Sequence, residues 1–389
     1  MHASYNLRVT GPDTFADGAT PRENPELSRL IAQHIAQAGG WLPFDRYMAL
    51  ALYAPGLGYY SRSGRQFGLL PASGSDFVTA PELSPLFGAA LARPVAQALQ
   101  ATAADTVFEF GAGSGALAEQ LIDALDRRGQ PLARYAIVDL SGALRERQAQ
   151  RLARFGARVQ WLDAWPDSLH GVAVGNEVLD AMPVQLLHFD GQRWFERGVA
   201  LGADGPVFED RPTPLRPPHP GPFVPGTVTE IHAQAEAFVR SLADHLRHGA
   251  AFFIDYGFPE AEYYHPQRHQ GTLLAHRAHR TELDAAAVLR EPGQKDITAH
   301  VNFSAVALAA QDAGLAVLGY TSQANFLLNC GILDLLPAGD LRATAALHKL
   351  LAEHEMGELF KVLALGRGPG LESGFDTLGF ARGDRSHTL

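Results

Sequence analysis

Thr106-Val107-Phe108-Glu109-Phe110-Gly111-Ala112-Gly113-Ser114-Gly115 is the stretch that decides the fold. It reads as a short buried strand, three glycines at alternate positions, and then a helix from Ala116 to about Arg128. Glu109 stands two residues before the first glycine. Glycines so spaced let the chain turn sharply and let a ligand lie against bare main chain. A turn of this kind, at the carboxyl end of a parallel strand, suits a nucleotide-like cofactor.

Outward from that stretch the chain alternates strand and helix. After Val107–Phe110, further apolar runs at Tyr135–Asp139, Ala157–Leu162, Gly171–Gly175 and Ala250–Asp255 read as strands, and Leu144–Phe155 as a helix. Ala316–Gln323 and Phe360–Gly366 read as two closing strands, with a helix over Ser304–Ala313. Short all-apolar runs separated by helices predict a parallel sheet covered on both faces. Two insertions interrupt it, at about 185–227 and 256–302. The first alternates like antiparallel strands around a turn at Asp190-Gly191 and ends in the proline-dense connector Arg211–Pro225. The second is rich in His, Tyr and Arg.

Ahead of the glycine stretch, residues 26–104 carry helical spacing over Leu27–Ile35, Pro43–Leu52 and Ser84–Gln100, with a long segment of glycine and aromatic residues from Pro55 to Gly88. A loop of that length in a globular chain is usually functional or disordered, and its five aromatics favour packing over disorder. Residues 1–25 are expected to be a flexible arm, 105–368 the main domain, and 369–389 a flexible tail.

Composition excludes several classes of function. The chain has 389 residues, 46% of them hydrophobic, enough for a full core. A net charge of −10 without a sustained basic run argues against nucleic-acid binding, which needs clustered Lys and Arg. Cys330 is the only cysteine, so neither an intrachain disulfide nor a thiolate metal cluster can form, and its apolar setting reads as an inert buried thiol. The first 25 residues do not resemble a secretory signal, and no run of about 18 apolar residues predicts a membrane span. The expected location is cytoplasmic. Nothing in the sequence sets the oligomeric state.

Two cofactors fit the glycine stretch. Gly111, Gly113 and Ala116 satisfy the dinucleotide pattern of nicotinamide and flavin enzymes, with Asp139 as a ribose ligand. That match alone is weak. An acid, one residue, then three alternate glycines is the pattern of S-adenosylmethionine sites, and Glu109 through Gly115 satisfy it completely. Asp139 ends the second strand, where a carboxylate can take both ribose hydroxyls; Asp163 follows the third, where an acid can accept from the adenine amino group. Either Asp could equally be a helix cap. None of residues 109–118 is Lys or Arg, which suits a cofactor that has no phosphates and is itself cationic. Glu109, Gly111, Gly113, Gly115, Asp139, Asp163, Asn176 and Thr79 are the candidate S-adenosylmethionine contacts, Thr79 as part of a cover with Tyr59, Tyr60 and Phe77, aromatics that could equally be simple core packing.

Several stretches together are more specific. Gly58-Tyr59-Tyr60, Asp76 through Glu82, Glu109 through Gly115, Asn176-Glu177-Val178-Leu179-Asp180-Ala181-Met182-Pro183-Val184, Asp255-Tyr256-Gly257 and Gly293 through Phe303 resemble, in order, the MidA / NDUFAF7 family of S-adenosylmethionine-dependent methyltransferases. The resemblance runs from about residue 40 to 366. It implies an α/β class I methyltransferase fold, Rossmann-like: a seven-stranded, mostly parallel sheet with an N-terminal helical and loop extension and two insertions. It also implies a protein substrate, since the eukaryotic mitochondrial members methylate an arginine of a respiratory complex I subunit and support assembly of that complex. Asn302 departs from the family, standing where an Asp is expected; an acid there would either contact substrate or cap the helix from Ser304.

An arginine acceptor must be held by carboxylates that match its planar fork. Glu177 and Asp180 follow the fourth strand, and an i, i+3 spacing puts both on one face if that stretch is helical. Glu177 is the candidate guanidinium clamp and Asp180 its second member or support. The plainer alternative is an N-cap at Asn176 followed by acids favoured in a first helical turn. No Asn/Asp-Pro-Pro-aromatic motif follows the fourth strand, which disfavours amide and adenine nitrogens as acceptors. His265, His269, His276 and His279 invite a zinc reading, but Pro266 spoils the helix that would align the first two. His276 or His300 on a substrate-facing lid, positioning the acceptor or taking its proton, is preferred. A small-molecule methyltransferase, a dinucleotide oxidoreductase and an assembly factor that keeps the fold without the chemistry remain the competing functions.

Overall fold

The computed structural model describes residues 24–61, 79–139, 142–277, 280–282, 284–371 and 376–389. Residues 1–23 of the expected arm 1–25, the Asp76–Val78 part of the family stretch and His279 lie outside them, while Asn24 caps and Pro25 opens the first helix.

The seven apolar runs form one sheet. In chain order they are β1 (Thr106–Phe110), β2 (Arg134–Val138), β3 (Val159–Leu162), β4 (Leu169–Asn176), β5 (Leu246–Phe258), β6 (Ala316–Ser322) and β7 (Phe360–Arg367). Their spatial order is β3-β2-β1-β4-β5-β7-β6, and the short Val301–Asn302 pairs alongside the end of β5 as an eighth strand. The pairs from β3 to β5 are parallel, while β7 runs antiparallel to both β5 and β6. The order reverses between β1 and β4, which opens a crevice above their carboxyl ends.

Side chains alternate across the sheet with period 2. Val107, Val172, Val174, Phe252 and Val362 enter the core under helices Pro85–Ala101 and Ala116–Arg127. Phe108, Ala173, Phe253 and Leu363 enter the opposite core, under Ala233–His245 and Phe303–Asp312. Strands buried on both faces cannot alternate polar and apolar residues, which is why they read as continuous apolar runs.

A third core joins helices Pro25–Gln37 and Phe44–Tyr53 to the two insertions. The first insertion is an antiparallel sheet of Gln185–Phe189, Trp194–Gly202, Gly205–Pro212 and Thr227–Ile231, edged by Trp41–Pro43. The second carries a small sheet of Leu274–Arg277, Arg280–Glu282 and Asp296–Thr298. Both boundaries shift from expectation. The first insertion runs on to Ile231, and β5 continues to Phe258 because pairing with Val301–Asn302 prolongs it. This third unit meets the sheet above the ends of β4 and β5. There the Tyr53 hydroxyl donates to Ala181 O at 2.8 Å, and Ala299 N donates to Asp180 O at 3.0 Å.

Two further expectations change. Residues 376–389 are not a free tail: Phe380 packs on Phe326, and Arg385 pairs with Glu358 at 2.6 Å. Asn302 is fully buried and caps the helix Phe303–Asp312, its Oδ1 accepting from Ala305 N at 3.2 Å. The departure from Asp is thus a cap exchanged for a cap. Asn302→Ala is expected to cost about 1 kcal/mol in chemical denaturation and to leave cofactor affinity unchanged. Among the described residues no helix is long and apolar enough to cross a membrane.

Candidate cofactor and acceptor site

A cavity of about 740 Å³ opens at the sheet reversal. Its floor is the glycine loop. Gly111, Gly113 and Gly115 all have positive φ, at 64°, 53° and 81°, a conformation in which a β-carbon is strained. A β-carbon on Gly111 would also meet Val178 at 3.0 Å. The loop is anchored from three sides. Gln148 Nε2 donates to Gly113 O at 3.0 Å and to Asp139 Oδ2 at 2.8 Å, so one amide ties the loop to the end of β2. Ser114 Oγ touches both Glu82 and Arg151, and those two pair at 2.8 Å.

Four acids line the cavity, Glu109, Asp139, Asp163 and Glu177, and among the described residues no Lys, Arg or His does. Glu109 is buried and accepts from the Tyr135 hydroxyl at 2.8 Å. Burial, reinforced by the nearby Asp139 carboxylate, raises its pKa to about 8. Asp163 sits at the rim with its side chain 89% exposed, paired at 2.6 Å with Arg145. Arg145 also binds Asp139 O and Leu162 O, fixing the ends of β2 and β3 together. Next to that rim, Phe110, Trp165 and Phe238 make an aromatic wall, with ring centroids 4.6–5.3 Å apart. Thr79 and Asn176 also line the cavity.

The turn after β4 differs from the expected helix. Glu177 has φ 54°, in the left-handed region, and its N–H donates to Ile254 O. Asp255, near the carboxyl end of β5, then captures the next three N–H groups: its Oδ2 accepts from Val178, Leu179 and Asp180 at 3.1, 2.8 and 3.3 Å. Those donors would otherwise start a helix; one buried carboxylate satisfies them in a tight turn instead. The turn separates the two expected clamp residues. Glu177 lines the cavity and accepts from Asn176 Nδ2 at 2.9 Å. Burial in the walled hollow raises its pKa to about 8, with Asp180 and Asp296 adding repulsion. Asp180 is buried behind the wall, outside the cavity lining, where its carboxylate takes the Tyr256 hydroxyl. Of the two candidate clamp positions, only Glu177 lines the cavity.

Neither lid histidine reaches the cavity lining. His300 is held between the rings of Tyr256 and Phe258, 5.1 and 5.3 Å away, and burial lowers its pKa to about 3, so it cannot hold a proton at neutral pH. His276 lies in a strand of the small sheet, opposite Asp296 and Thr281. Among the described residues no three metal-ligating side chains converge.

Several site residues left little trace in the sequence. Gln148 and Arg145 lie on a strongly polar helix, Gly142–Leu152, where nothing marks two side chains as turned inward. Trp165 and Phe238 come from separate segments that only the fold joins. Asp255 could have been found: it is an acid ending an otherwise apolar strand.

This lining fits S-adenosylmethionine. Asn176 Oδ1 is buried without a hydrogen-bond partner, the wall is acidic, and the floor is bare main chain. Asp139 would hold the ribose, the aromatic wall the adenine, and Glu109 and Asn176 the cationic end. Asp139→Ala is expected to weaken S-adenosylhomocysteine binding about 10–100-fold in calorimetry, the worth of charged hydrogen bonds. Asp163→Ala should cost less than about threefold, because its carboxylate is exposed and already paired. Equal losses would contradict the placement.

Residues 90–321 match the profile of the family described as "Putative S-adenosyl-L-methionine-dependent methyltransferase". A crystal structure of a COG1565 superfamily member from Burkholderia thailandensis, bound to S-adenosyl-homocysteine, is 51% identical; the alignment covers 99% of this chain and 100% of that one at a TM-score of 0.89. More distant relatives include the protein arginine methyltransferase NDUFAF7 of Homo sapiens, mitochondrial, 28% identical over 90% of this chain and 86% of that one. Its homolog in Caenorhabditis elegans is 25% identical over 84% of this chain and 81% of that one. With the sheet order, the glycine floor and the acidic lining, these matches show that the chain belongs to the S-adenosyl-L-methionine-dependent methyltransferase family and is an enzyme that takes its methyl group from S-adenosylmethionine.

Proposed function

We propose that the enzyme transfers methyl to a guanidinium nitrogen of a protein arginine, with Glu177 as the clamp. The observation that carries this reading is the cavity lining: it offers carboxylates and no cation among the described residues, and Glu177 stands at the β4 end of it. The names of the more distant relatives, and the resemblance of the Asn176–Val184 stretch, point to the same acceptor. A respiratory complex I subunit is the acceptor that resemblance suggests.

The cofactor supplies a methyl group activated by its sulfonium. The protein's part is alignment and charge. Glu177 accepts two N–H bonds from the guanidinium and so fixes its plane. The attacked nitrogen gives up one proton when it gains the methyl. A carboxyl whose pKa is near 8 can hold that proton at neutral pH.

A pH dependence follows. In the free enzyme the raised pKa leaves Glu177 mostly protonated below pH 8, and only its ionised form can clamp a cation. The value of kcat/KM for an arginine substrate should therefore rise about tenfold for each pH unit up to about 8 and then level. Glu177→Gln should remove that limb. A wild-type profile that is flat between pH 6 and 9 would count against the clamp.

The test of the function itself is labelled transfer from S-adenosylmethionine into a lysate of the source cells. Label on protein arginine supports the reading. Label only in metabolites, or none at all, favours the small-molecule or assembly-factor alternatives.

A further inference from the structure

Two tyrosines share the cavity lining with Glu177. Tyr53 closes the helix Phe44–Tyr53, and Tyr60 follows in the next turn. Both line the cavity, together with Glu177, Ala181, Met182 and Pro183. Their rings stack, with centroids 5.6 Å apart and planes 22° apart. Neither hydroxyl is left to serve the cavity as a donor. Tyr53 donates to Ala181 O at 2.8 Å, and Tyr60 to the Asp296 carboxylate at 2.8–2.9 Å. Asp296 is buried, so this carboxylate is shielded from water. What the pair presents is therefore ring surface, fixed in place at both ends. A hydrogen bond to a carboxylate also draws the phenol toward phenolate character and enriches the ring of Tyr60.

An electron-rich flat wall next to a carboxylate discriminates between cations. A carboxylate by itself attracts an ammonium as well as a guanidinium. A guanidinium is planar and weakly hydrated, so it can lie along an aromatic face while its edge meets a carboxylate. An ammonium is compact and strongly hydrated, and gains less from a flat wall.

We propose that Tyr53 and Tyr60 form a specificity wall that selects a planar guanidinium over an ammonium as the acceptor group. The inference deepens the arginine reading above and rests on it. The hydroxyl bonds are the positioning device, and the ring faces are the recognition surface.

The test uses the full-length protein saturated with S-adenosylhomocysteine and two probes, N-acetyl-arginine methylamide and N-acetyl-lysine methylamide, titrated by ligand-observed NMR. Wild-type protein should prefer the arginine probe by about 3–30-fold, the range expected for cation–π contact. Tyr53→Leu and Tyr60→Leu should bring the preference close to one, with S-adenosylhomocysteine affinity held within about twofold. Tyr53→Phe and Tyr60→Phe keep the rings and should restore most of the preference, which loss of packing alone would not explain. Equal binding of both probes by wild type, or a preference that survives both Leu changes, overturns the wall. Glu177→Gln separates the two ideas. If it binds the arginine probe as tightly as wild type, the clamp falls, while the Leu and Phe variants still decide the wall.

Discussion

Glu177→Gln should lower methyl transfer to an arginine acceptor by about 100- to 1,000-fold, the cost of removing one aimed charge from a preorganised site. S-adenosylhomocysteine affinity should change little, because the amide keeps the volume and Asp139, Glu109 and the glycine floor remain. The effect is large because, among the described residues, the substitution removes the one carboxylate that lines the cavity at the β4 end. Asp180 cannot replace it, being buried behind the wall and engaged by Tyr256. The comparison that matters is single-turnover rate against calorimetric affinity. Loss of both together would mean that Glu177 serves the cofactor; loss of neither would remove its assigned role.

The second large effect is expected at Asp255. Its Oδ2 accepts the N–H groups of Val178, Leu179 and Asp180, and its Oδ1 accepts Tyr256 N–H at 3.0 Å. Burial, with Asp180 and Glu177 nearby, pushes its pKa well up, and the backbone N–H bonds oppose that shift. Asp255→Ala orphans three donors, two of them buried, that share one acceptor atom. At about 1–3 kcal/mol for an unsatisfied group, and allowing for relieved repulsion from the neighbouring acids, the net loss should be about 3 kcal/mol. Asp255→Asn can still present one oxygen to the turn and should lose about 1 kcal/mol. Both are read by urea denaturation. Activity should fall further than stability, since the same turn holds Glu177 in its left-handed conformation. An Ala variant as stable and active as the parent would show that the turn needs no such anchor.

Much of this was legible in advance, and the reasons are physical. Buried parallel strands must be apolar throughout, so the seven runs that build the main sheet stand out. Glycines with positive φ cannot be replaced cheaply, so the floor of the cavity is written in residues 111–115. Acids at the ends of successive strands fall together because a parallel sheet puts all those ends on one edge. What was not legible depends on partners far apart in the chain. The stretch after β4 has the composition of a helix start, and only a carboxylate 75–77 residues later makes it a turn. Asp180 looked equivalent to Glu177 by spacing, yet that turn sends it to the other side of the wall. His300 looked available for proton transfer until two aromatic rings were seen to enclose it. The tail seemed free because Phe380 and Arg385 find their partners in other elements.

The most direct test of the central claim is residue-level mass spectrometry of proteins modified by the purified enzyme with methyl-deuterated S-adenosylmethionine. The account predicts deuterated methyl on arginine side-chain nitrogens, present with wild type and nearly absent with Glu177→Gln. Deuterium on lysine, on carboxyl groups or only on small molecules, or arginine labelling unaffected by Glu177→Gln, would contradict it.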